Sequence, residues 1–477
     1  MKATPLPIVG GFYADETRPW SVQDCVNWLP TQAETSGTRT PTILKTPPGL
    51  RQVVQVTQGG GEIPVTSPPI RGTYNAEGIF LFVAGNTLYR MNTDFTTTSI
   101  GTIPGVTRVR FAHNQQGTGN QVVIVNGTAG WVYDTAAKTL TRITDDGYPG
   151  AINAVFLASY IVQIEPARRF AFNSAPADAT SYNTLDRFTS EVSPDLLMSM
   201  AVNNNELILF SENTTEFFQA TSNAEQPFRS KQIALTRGCG GRYTVANIDN
   251  TVYWLGDDGI FYLMAGYSPQ RVSTRPIEES IKGLNWDQAF AFTWESAGHK
   301  VVYWTFPDGT TWGYDVSAQQ WSRRQSYQLN RWRPNTMTFW NGNWYAGDFQ
   351  TGIIWEVDWD YMLEGNQKFE SIRTTGVLSD NQNWLIVSRL ELLMQVGQES
   401  TPISDPDNYV RVQYSDDGGN TWSNWDQFEI GLVGEYDTRP YFTRQGKTRH
   451  RTYRILCSSP RKRDLMGAMI VVQGTVG

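Results

Sequence analysis

At 477 residues, with 40% hydrophobic and only 18% charged residues, the chain is too long for one ordinary compact core. Two or three domains are predicted, unless a repeat extends a single one. A net charge of −7 excludes the basic surplus of a protein that grips duplex DNA by its phosphates.

The start, Met1 to Tyr13, lacks a basic segment followed by a long apolar run, so no signal peptide is expected. Residues 1–70 are rich in Pro, Thr and Gly and predict an extended N-terminal region with little strand. Within it, 55–70, with Gly59-Gly60-Gly61 and Pro68-Pro69, reads as an exposed loop.

From residue 71 the pattern becomes short strand, turn, short strand. Segments 79–83 and 87–91 flank Gly85-Asn86, and 121–125 and 131–133 flank Asn126-Gly127. Segment 157–163 precedes 168–172, and 206–210 leads through Glu212-Asn213 to 216–218. Further on, 251–255 and 260–264 flank Asp257-Asp258-Gly259, and 300–306 and 311–314 flank Pro307-Asp308-Gly309. Last, 338–340 turns at Asn341-Gly342 into 343–345, and 353–357 follows. Asn-Gly and Asp-Gly tolerate positive φ and match the twist of a hairpin. The hairpins recur every roughly 36 to 50 residues, the period of propeller blades, and about seven such units fit in 71–365. A unit of this size cannot bury its own faces. Packing blades around an axis does bury them, which accounts for 17 Trp, 21 Tyr and 22 Phe. The rival reading is an array of β-sandwiches. One short helix is predicted near 276–286. Past residue 366, longer strands at 384–396, 409–414, 452–457 and 468–473 break the spacing and predict a separate C-terminal β-domain over 366–477. The predicted fold is therefore all-β: a propeller of about seven blades between an extended N-terminal region and a C-terminal β-domain.

Little of the sequence points to catalysis, and no cofactor is expected. The three histidines, His113, His299 and His450, are not within helical or hairpin reach of one another and read as surface or loop residues. Cys25, Cys239 and Cys457 are too scattered for a disulfide framework or zinc site, so no metal is expected. They read as reduced, partly buried small hydrophobes. Phosphate-cradling and nucleophile-elbow motifs are missing from the sequence, and Gly238-Cys239-Gly240-Gly241 reads as a tight turn. One motif is sharp. Residues 415–422, with Ser415, Asp417, Gly419, Thr421 and Trp422, fit the Asp-box. In such a turn the carboxylate accepts backbone N–H groups, glycine supplies the φ and tryptophan packs beneath. The box recurs in sialidases, so a glycan-degrading propeller enzyme is one alternative, although no spacing identifies its catalytic set. A second alternative is a propeller scaffold for protein partners. Arg444, Lys447, Arg449, Arg451, Arg454, Arg461, Lys462 and Arg463 crowd one late segment and read as a solvated face or a subunit interface.

Asn27-Trp28-Leu29-Pro30 followed by Lys45-Thr46-Pro47-Pro48-Gly49-Leu50 resembles the opening of the packaged-DNA stabilisation proteins of short-tailed phages. Residues 206–210 followed by Thr215-Glu216-Phe217-Phe218 resemble a strand pair of that family. The end is similar too: Asp417-Gly418, a basic strand at 451–456, then Ser459-Pro460. The stretch 286–359 departs from the family pattern. The resemblance implies a non-enzymatic tail hub in the virion, assembled in the host cytoplasm. It implies a homohexamer below the portal-adaptor ring, tailspikes or tail fibres at its side and a tail needle or plug at its tip. DNA would pass through the channel without specific binding. Trp28, Leu29 and Leu50, with Arg449 and Arg451, are the candidate interface residues.

Overall fold

Phe80, Leu81, Phe82, Val83 and Ala84 are all fully buried. Alternate residues of a strand point to opposite faces, so a run buried at every position lies in a sheet covered on both sides. That is the state of an inner strand in a blade stacked between two others. The computed structural model describes residues 3–475 apart from 61–62, 116, 118, 222 and 405–406. Its first blade is a four-stranded antiparallel meander of Ile70–Ala76, Ile79–Ala84, Thr87–Met91 and Thr97–Thr102. Burial falls outward, and the last strand is largely solvated. Four further blades occupy 110–142, 153–188, 197–235 and 246–271 in the same way. The Asn341-Gly342 hairpin turn takes φ of 46° and 86°, the pair of positive values that a two-residue turn of this twist requires.

The last blade is completed from far away in sequence. Pro334–Trp340, Asn343–Asp348 and Ile353–Asp358 take Gly49–Gln55 as their fourth strand, with Trp355 opposite Gln52. The backbone approach is close: a Cβ on Gly49 would stand 2.0 Å from the Tyr361 carbonyl oxygen, so glycine is required there. Thr73 Oγ1 meets Thr336 and Thr338 at 2.9 and 2.8 Å and ties this blade to the first.

Two expectations need correction. The repeat predicts about seven blades, whereas the described residues form six self-contained four-stranded blades. The quartet Phe290–Ser296, His299–Thr305, Thr311–Asp315 and Gln320–Arg324 stands in the ring but does not end there. Val26 pairs with Arg323, and the sheet runs on through Val22–Val26, Ser371–Thr374, His450–Cys457, Tyr409–Ser415 and Asp426–Glu429 as one eleven-stranded sheet. A long-range pairing of this kind has no local sequence period.

The second correction concerns residues 1–70, which are neither separate nor poor in strands. Ala3–Leu6, Leu29–Gln32 and Thr42–Lys45 belong to a seven-stranded sheet with Trp384–Met394 and Leu465–Thr475. That sheet packs on the eleven-stranded one as a sandwich. Leu6, Ile8, Cys25, Trp28 and Leu44 share its core with Leu390, Val412, Ile455 and Ile470. The segment read as a loop holds the hairpin Gln58–Gly60 and Ile63–Thr66, whose tip, Gly61 included, lies outside the described residues. The predicted helix is one short element, Arg275–Ser280, followed by a 3-10 turn at Trp286–Gln288.

Candidate functional site

The Asp-box closes the hairpin between Tyr409–Ser415 and Asp426–Glu429. Ser415 Oγ donates to Asp417 Oδ1 at 2.7 Å and accepts from Gly419 N at 2.8 Å. Asp417 also accepts from Asn420 N and Thr421 N at 2.9 Å and from Thr421 Oγ1 at 2.6 Å. These donors, the Thr421 hydroxyl foremost, hold the Asp417 carboxyl far below its usual range. Trp422 Nε1 donates to Gly419 O at 3.1 Å, and the Arg454 guanidinium lies 3.9 Å from its ring centre. Every donor belongs to the turn itself, so the box works as a turn clamp. Asp417→Ala is expected to lower the melting temperature and leave the propeller intact. A depressed carboxyl contributes stability that is complete above its unfolded value of 3.8 and is lost as pH falls below it. The difference between wild type and variant should therefore narrow between melts at about pH 7 and about pH 3. A variant that melts with wild type at neutral pH would contradict this.

The neighbouring Asp416 receives Arg451 through both carboxylate oxygens at 2.7 Å, and Thr448 Oγ1 at 2.9 Å. Arg451 is 1% exposed, and Arg461 and Arg463 are also buried. The late basic run is therefore not one solvated face: half of its guanidinium chemistry is spent on internal carbonyls and on Asp416. Arg449 is exposed, 4.6 Å from the Trp384 ring centre. The candidate anchors Trp28, Leu29 and Leu50 are 1%, 1% and 0% exposed. Their burial is supplied by this chain's own sandwich and by the Trp294, Trp332 and Trp355 cluster, so none of the three is available to a partner. Arg451 is unavailable for the same reason.

His113 and His299, read as surface or loop residues, are buried. His299 Nδ1 lies 2.6 Å from Asp315 Oδ2, and His113 Nε2 lies 2.7 Å from the Gly119 carbonyl. Cys25, Cys239 and Cys457 are free and buried. Burial pushes the Cys25 thiol up to about 12 and Cys239 up to about 11, which suits packing and not nucleophilic chemistry.

Two concave features stand out. A cavity of about 310 Å³ lies on the propeller axis, lined by the starts of five inner strands, including Tyr74, Arg108, Arg110, Phe111, Asn247 and Phe292. Its described lining holds no Asp or Glu, so it lacks the paired carboxylates of a glycosidase. The arginines had a readable signal: Arg108-x-Arg110 places both on one face at the entry to a strand. On the sandwich, a groove of about 800 Å³ runs past Leu6, Val9, Leu393, Tyr436 and Met469. Beside it the segment 425–441 exposes Trp425, Leu432, Val433, Tyr436 and Tyr441, by 40 to 66% each.

A family model described as Bacteriophage P22 Gp10, beta-propeller, matches residues 4–362, and one described as Bacteriophage P22 Gp10, beta-sandwich, matches residues 370–473. No curated protein sequence matches the chain. Among solved structures, the computationally designed Ika8 protein is 13% identical, covers 65% of this chain and 99% of its own, and has a TM-score of 0.38. Selenomethionine-substituted virginiamycin B lyase from Staphylococcus aureus is 9% identical, covers 61% of this chain and 94% of its own, and has a TM-score of 0.43. Neither likeness to a solved structure is close enough to carry an argument.

Proposed function

The chain belongs to the bacteriophage P22 Gp10 family of phage tail proteins, and on that premise we propose that it is the structural hub that closes the DNA exit channel of a short-tailed phage. The observation that carries this reading is the match to both parts of the family over nearly the whole chain. In this reading six copies, made in the host cytoplasm, form a ring below the portal-adaptor complex. The ring retains packaged DNA until ejection, holds tailspikes or tail fibres at its side, and is stopped at its tip by a needle or plug. Six copies of a chain at −7 would repel phosphate, so DNA would slide through the ring without being gripped.

What supports an assembly surface is the exposed apolar segment 425–441. Leu432, Val433 and Tyr436 stand exposed within five residues of one another, and clustered apolar exposure marks contact surfaces. We assign it to the neighbouring copy in the ring. Arg449, which is exposed, is assigned to the same interface.

The test is cryo-electron microscopy of the purified protein mixed with its portal complex. A six-fold ring with an open pore is expected. Leu432→Glu combined with Tyr436→Glu is expected to abolish the ring while leaving the monomer's melting temperature unchanged. Absence of any ring with the wild-type chain would defeat the hub reading.

A further inference from the structure

Among the described residues, the lining of the axial cavity brings Arg108 and Arg110 together with no Asp or Glu beside them. Arg108 donates through Nη1 and Nη2 to the Asn335 side-chain and backbone oxygens. Its guanidinium lies 3.8 Å from the Phe290 ring centre. Arg110 lies over Tyr243, 5.1 Å from the ring centre. Its Nε is buried and has no hydrogen-bond partner among the described residues. Arg331, held by the Trp332 and Pro334 carbonyls, lies 5.6 Å from the centre of the same Phe290 ring, outside the lining of the cavity. Burial, reinforced by Arg110, pushes the Arg108 guanidinium below its ordinary value, and burial does the same to Arg110. The cations are therefore held at a cost that an anion would relieve.

The surroundings are suited to a ligand. Tyr74 and Phe111 stack at 5.4 Å and 3° and form one flat wall of the cavity. Thr73, Asn247, Thr293 and Thr336 line the same space; the Thr73 and Thr336 hydroxyls bond to each other, and Asn247 Nδ2 donates to the Val202 carbonyl. Arg108 gives one Nη1 and one Nη2 hydrogen to Asn335, and its remaining N–H groups, with those of Arg110, suit the oxygens of a carboxylate or phosphate. We propose that this cavity is a binding site for a small oxyanion, a carboxylate or phosphate group, taken up by Arg108 and Arg110. The site lies inside one protomer's propeller and does not depend on the hub reading.

Isothermal titration of the full chain with inorganic phosphate, and separately with glucuronate, tests the proposal and distinguishes the two sources of the group. Saturable binding of either probe, one per chain, is expected. The expected loss in Arg110→Gln is about tenfold or more, the usual weight of a charged hydrogen bond. Arg108→Gln should show a similar loss and serves as the second variant should Arg110→Gln fail to fold. Because removing an unpaired buried cation relieves its burial, Arg110→Gln should melt no lower than wild type. Saturable binding of phosphate alone assigns a phosphate site, and of glucuronate alone a carboxylate site. Binding by neither probe, or equal binding by wild type and both variants, overturns it.

Discussion

A chain that begins at residue 71 is expected to be recovered only as insoluble or molten material, although it retains the inner strands of every blade. Two losses coincide. Ile353–Asp358 loses its outer partner Gly49–Gln55, which leaves the last blade with an unpaired edge facing solvent. The sandwich loses Leu6, Ile8, Trp28 and Leu44 from its core. Each large apolar side chain contributes about 1.5–3 kcal/mol on burial. Four of them weigh heavily against a net stability of about 5–15 kcal/mol. Co-expression of the separate segment 1–70 should restore soluble protein, because its strands pair with both domains without needing the peptide link. Solubility and a cooperative melt, followed by circular dichroism, are the readouts. A chain 71–477 that melts like wild type would show that the N-terminal strands only decorate a structure that stands without them.

This explains which parts of the fold are legible in the sequence. A blade hairpin is local. Phe80–Ala84, its glycine turn and Thr87–Met91 fit in a dozen or so residues, so the strand period and turn chemistry reveal them. Pairing between Gln52 and Trp355, or Val26 and Arg323, leaves no such trace. The proline-rich start therefore reads as extended chain, and the quartet 290–324 reads as an ordinary blade. Trp28 shows a related limit. Its need for burial is evident from its chemistry, but the identity of the covering surface depends on tertiary topology. Named above as a candidate for a subunit interface, Trp28 is covered by the chain's own sandwich core. The Asp-box is legible because the hydrogen bonds that Asp417 accepts and the one that Trp422 donates lie within Ser415–Trp422. The buried arginines are the opposite case, since charge in a sequence reads as surface.

Arg373 is the sharpest of these, and Arg373→Met is expected to cost about 3–5 kcal/mol, the usual loss when a buried, hydrogen-bonded charge is removed from its partners. The side chain is 0% exposed. It donates to the carbonyls of Ile8 at 2.6 Å, Gly11 at 2.8 Å and Asp24 at 3.2 Å, and to Gln23 Oε1 at 2.7 Å. All four acceptors lie in the N-terminal segment, while Arg373 sits on Ser371–Thr374 at the start of the sandwich proper. One guanidinium therefore bolts the N-terminal segment to the strand Ser371–Thr374. Methionine keeps the apolar stem and leaves these oxygens without a donor. Lysine would restore the charge but not the fork that reaches several carbonyls at once, so Arg373→Lys should recover little. Arg449→Met is the matched control, an exposed arginine over a ring, and should cost about 0.5–1 kcal/mol. Urea unfolding midpoints rank the three. Limited proteolysis supplies the independent readout, because loss of the bolt should expose cleavage sites within 8–24 before the propeller is cut. If Arg373→Met unfolded at the same midpoint as Arg449→Met, the N-terminal strands would be held by their sheet pairing and core contacts alone.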